Sequence, residues 1–164
     1  MEPARAARPT DGLVVPTPLP PGDDLRARRI TALSAPEAVW AAQQRELVAG
    51  LCGQRIDEPR VSALFDRVHP TWCAATDPID PQPLIHAFGV AMGDLVAAAV
   101  PGLSWASYQD RAGTELVLTH DVHDLVVFPV ATVEAHWGTA GPGWFAQHLQ
   151  TVVDGTRRLL ATQQ

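Results

Sequence analysis

Two imidazoles and two carboxylates fall within five residues, His120-Asp121-Val122-His123-Asp124. Both side-chain types ligate zinc, and two histidines this close in sequence can share one ion. A metal held at His120 and His123 with a nearby carboxylate would serve a metal-dependent hydrolase. His86 and His136 are the further imidazoles that folding could bring there. The competing interpretation is local. The segment lies between two strand-like stretches, where Asp favours a turn by bonding to its own backbone. The helical H-E-x-x-H arrangement of zinc hydrolases is absent. We therefore expect a polar turn, and no metal or other cofactor.

Other chemistry is weaker still. No G-x-S-x-G elbow is present, and Ser104 and Ser107 fall in a strand. Cys73 follows Trp72 in an expected loop, with no signature of a cysteine nucleophile. The stretch Gly138 to Gly143 is glycine-rich but lacks the Lys-Ser/Thr pair of a phosphate loop. Acids and aromatics remain. Asp94, Asp110 and Glu115 gather near one hairpin and could face a basic partner, although exposed acids are more often a solvated face. Trp72, Trp137 and Trp144 stand outside the helical stripes. Aromatics so placed are enriched in interfaces, against the alternative that they are core.

These residues need elements to hold them. Residues 1–24 carry Pro3, Pro9, Pro16, Pro18, Pro20 and Pro21 without an apolar face, and we expect a disordered Pro-rich tail. Residues 25–164 should form one domain. Ser34, Pro36 and Glu37 make a capping box for a first helix that ends at Gly53. Asp57 caps a second helix, which Pro70 should stop, leaving 69–80 as a loop. Asp80 and Pro81 open a third, bearing Leu84, Phe88, Ala91 and Leu95 in a stripe. In that helix Gly89 and Gly93, four residues apart, predict close approach of another backbone.

Alternation then predicts three strands, near 103–108, 114–119 and 125–128, joined by Asp110-Arg111-Ala112-Gly113 and by the histidine segment. A short helix over 130–137 and a last one over about 143–160 follow. The fold class is thus α+β: a small antiparallel three-stranded meander against several helices, in two layers.

Composition excludes more than it selects. The net charge is -6, and the twelve basic residues are all arginine. That argues against nucleic acid and against an anionic membrane surface as partner. Two cysteines make no disulfide framework. With no leader and no apolar run of about 20 residues, the expected location is cytoplasmic. The absence of lysine and asparagine points to a GC-rich, actinobacterial type of genome.

Three features in order carry a resemblance: the helix Ala87-Phe88-Gly89-Val90-Ala91-Met92-Gly93-Asp94, the hairpin from Leu103-Ser104-Trp105 to Gly113-Thr114-Glu115, and the strand and exit Leu125-Val126-Val127-Phe128-Pro129. Over about residues 84–137 the chain resembles a bacterial family, domain of unknown function 3806. The resemblance implies a fold and a bacterial setting, and no activity. The leading expectation is a non-enzymatic protein-binding module with a basic partner, in one version an immunity-type protein that neutralises a toxin. A metal-dependent hydrolase and a small-ligand sensor with a pocket between sheet and helices are the alternatives.

Overall fold

The computed structural model describes Thr17–Pro18 and residues 29–162. The expected tail over 1–24 lies outside the described residues, apart from Thr17–Pro18. In chain order the elements are β1 (Thr17–Pro18), β2 (Arg29–Ala32), α1 (Ala35–Leu51), α2 (Glu58–Cys73), α3 (Gln82–Ala99), β3 (Leu103–Gln109), β4 (Thr114–His120), β5 (Leu125–Val127), α4 (Pro129–His136) and α5 (Trp144–Thr162). The class is α+β.

The meander β3-β4-β5 forms as expected, but it is the centre of a wider sheet. Among the described residues, five antiparallel strands run in the order β1-β5-β4-β3-β2. The two added strands carry no alternating signal. All four residues of β2 are exposed, so nothing selected an apolar period there. Pro18 of β1 lacks a backbone donor, which a proline tolerates at an edge.

Helix starts follow the sequence closely. The side chain of Ser34 caps α1, and Glu37 returns the bond, with the Ser34 amide donating to its Oε2 at 2.7 Å. Asp57 caps α2 by accepting from the Arg60 amide at 3.1 Å. At α3 the cap position is Pro81, one residue late, while Asp80 still accepts from the Gln82 amide at 3.0 Å.

One expected stop fails. Pro70 sits inside α2, which continues to Cys73. A proline costs a helix one bond and some crowding. Here the last turn is held from outside, because Trp72 donates through Nε1 to the Ile79 carbonyl and packs edge-on against Trp137, 5.6 Å away.

The core lies between the helices and one face of the sheet. Leu103, Leu118, Leu125 and Val127 supply that face. Phe65 of α2, Phe88 of α3 and Phe145 of α5 meet at centroid separations of 5.0–6.1 Å. A smaller cluster of Ala106, Tyr108, Val117 and Val126, joined by Phe128, is buried on strands β3 to β5.

By length and composition alone, α3 could cross a membrane, contrary to the expectation that no segment could. In this fold it is the central helix, with Ile85 and the run from Ala87 to Gly93 buried. Its two glycines allow that burial. A Cβ at Gly89 would lie 2.6 Å from the Val130 Cα of α4, so the backbone approach expected there is real. At Gly93 the neighbour is different: an added Cβ would overlap the indole ring of Trp105.

Candidate functional site

α1, α3, α4 and β4 line an open pocket of about 290 Å³, walled chiefly by Trp40, His86, Glu115, Leu116, Val130 and Glu134, with both glutamates exposed at its rim. Each side chain is set by a local feature. The capping box fixes the start of α1, and Glu37 also accepts from Ser107 Oγ of β3 at 2.7 Å, tying that helix to the sheet. Trp40 follows three residues later and meets the His86 ring edge-on at 5.2 Å. Gly89, one turn beyond His86, lets α4 close over the site. Glu134 of α4 accepts from Gln82 Nε2 at 2.8 Å. Glu115 enters from the second residue of β4.

Charge is unbalanced here. No ion pair to Glu115 or Glu134 forms among the described residues. The Glu115 carboxyl is held above the usual carboxylate range by partial desolvation, then by repulsion from Asp110 and from Glu134. Two carboxylates beside a half-buried indole form an arrangement that attracts a cation.

The expected acidic group of Asp94, Asp110 and Glu115 is split by the fold. Asp94 is already occupied: it accepts from Arg45 Nε at 2.7 Å, from Arg45 Nη2 at 2.9 Å and from Trp105 Nε1 at 2.8 Å. It clamps α1 and β3 to α3. Asp110 caps the hairpin loop, accepting from the Ala112 amide at 2.7 Å and the Gly113 amide at 3.2 Å. Only Glu115 faces the pocket.

The tryptophans divide likewise. Trp137, expected in an interface, is core at 4% exposure. Trp72 and Trp144 are half-buried. Trp72 also lines a separate apolar recess with Val68, Ile79 and Leu84.

The histidines do not converge. His120 and His123 stand 4.9 Å apart by ring centroid, and His120 Nδ1 accepts from the Val122 amide at 3.2 Å, which closes the turn. His86 is in the pocket and His136 packs on Trp144 and His148. No group of three or more His, Cys, Asp or Glu is placed to hold a metal among the described residues. Cys52 and Cys73 are both free thiols. Cys73 ends α2 rather than lying in a loop, with Sγ 3.5 Å from His69 Nε2. That nitrogen also meets the Trp137 carbonyl at 2.6 Å, which makes it a donor, and the ring's remaining acceptor, Nδ1, stands 3.9 Å from the sulfur.

His148 of α5 stacks on Trp144 at 5.0 Å, and burial, reinforced by His136, pushes its pKa down to about 4. Its Nε2 has no partner among the described residues. Between its unfolded value of about 6.5 and about 4, the unfolded chain binds a proton that the folded one refuses, so stability falls as pH drops through that window. The melting temperature should decline from pH 7 to pH 4, and His148→Leu should flatten the decline. An equally steep decline in the variant would show that another group drives it.

Three pocket residues escaped the sequence analysis as a set. In the sequence Trp40 is an ordinary apolar helix position, His86 is a distant imidazole, and nothing singles out Glu134. They lie on three elements, and no motif spacing joins them.

Residues 71–146 match the family described as Domain of unknown function (DUF3806). The match contains the stretch over which the resemblance was drawn and begins earlier, at the last turn of α2. No curated protein and no solved structure matches the chain.

Proposed function

Starting from the DUF3806 match over residues 71–146, we propose that this chain is a non-enzymatic binding module that meets a basic protein partner at the Trp40–Glu115–Glu134 pocket. The observation that carries this is the pair of uncompensated carboxylates in a recess walled by an indole. The net charge of -6 supports it by attracting a basic surface over distance. An immunity-type protein that neutralises a basic toxin is the version that best uses such charge.

A small-ligand sensor is the second reading. It is favoured by the position of the pocket between sheet and helices and by a volume at the small end of ligand sites. The metal-dependent hydrolase has no comparable support, since His120 and His123 gather no third ligand among the described residues.

Glu115→Gln separates binding from folding. The carboxylate is disfavoured where it stands, so the amide should leave the melting temperature at pH 7 unchanged or higher. Capture of a protein from the native extract should nevertheless fall sharply in the variant, and for the wild type in high salt as screening shortens the field. Undiminished capture by Glu115→Gln would remove Glu115 from the binding surface and overturn the proposal, and a marked drop in its melting temperature would assign Glu115 a structural role instead.

A further inference from the structure

Resting on that binding reading, we propose that the group taken into the pocket is a guanidinium, presented by an arginine side chain of the partner. The two carboxylates come from separate elements, Glu115 from β4 and Glu134 from α4. Gln82 Nε2 engages Oε1 of Glu134, and Oε2 makes no bond among the described residues. Leu116, Val130 and Ala131 make much of the remaining wall apolar, and Trp40, packed against the His86 ring at a steep angle, supplies an aromatic surface.

An ammonium is a compact, strongly hydrated charge, which loses much of its hydration against such a wall. A guanidinium is planar, delocalised and weakly hydrated. It stacks on an indole while its fork of N–H donors reaches carboxylate oxygens in its plane. The volume of about 290 Å³ suits one long side chain better than a cofactor. Arg45 shows the carboxylate half of this chemistry within the chain, bonded through two nitrogens to Asp94.

The test uses the full ¹⁵N-labelled chain and two capped tripeptides, identical except for a central arginine or lysine. Indole N–H signals are followed by NMR, with Trp40→Phe identifying the Trp40 signal. The arginine peptide should move that signal and bind about tenfold more tightly than the lysine peptide, the difference that stacking supplies. Glu115→Gln should remove most of the binding while the other indole signals stay in place. Equal or tighter binding of the lysine peptide at Trp40 would overturn the guanidinium assignment and leave the basic-partner reading standing. A Trp40 signal that neither peptide moves would overturn both.

Discussion

Trp137→Ala should destabilise the protein by about 3–5 kcal/mol, the range for emptying a buried aromatic site. Trp137 is 4% exposed and touches Phe65, His69, Trp72 and Phe88 at centroid distances of 5.0–6.4 Å. Its loss opens a cavity at the junction of α2, α3 and α4, where rigid rings cannot collapse inward. It also frees Trp72, the external support of the helical turn after Pro70. Urea denaturation measures the loss directly. Part of the cost is offset because the buried Trp137 Nε1 has no hydrogen-bond partner among the described residues to lose. A change below about 1 kcal/mol would mean that the ring is not core and would return it to the candidate interface.

Gly89→Leu is the second large effect expected. A Cβ at that position would lie 2.6 Å from the Val130 Cα and 2.9 Å from its Cγ2. Backbone cannot rotate away as a side-chain tip can, so α3 and α4 must separate. Overpacking of this kind costs about 1–3 kcal/mol, and the rest of the leucine side chain pushes the cost toward the upper end. Because α4 carries Glu134 and Val130, the same movement should open the pocket. Gly50→Ala is the matched control. Nothing lies within 4 Å of a Cβ there, so alanine should stabilise α1 by up to about 1 kcal/mol. Equal effects at the two positions would rule out the close approach.

The chain order of helices and strands was legible because it rests on local rules. The capping box at Ser34 and Glu37, the Asp57 cap and the Asp110–Gly113 loop each depend on residues within three positions of one another. The errors came where distant contacts override local preference. α2 passes Pro70 because Trp72 is anchored from Ile79 and Trp137. β2 is a strand because β3 offers it an edge, from Arg29 opposite Gln109 to Ala32 opposite Ala106. Asp94 looked like a surface acid because Arg45, its partner, is 49 positions away. The pocket was illegible for the same reason. Its walls meet only after four elements have packed, and in the sequence Glu115 stands apart from Trp40, His86 and Glu134.

The placement of the two earliest strands has a consequence for vectorial synthesis. β1 and β2 lie at opposite edges of the sheet, and every strand between them is later in sequence. Thr17 pairs with Val126 and Ile30 with Tyr108, so on the ribosome neither early strand has its partner until most of the chain has emerged. Pairings of such long range are slow to form and leave strands open to wrong partners in the interval. β1 and β2 must therefore wait for the meander to assemble before they complete it, and the proline in β1 removes a backbone donor that premature pairing would use.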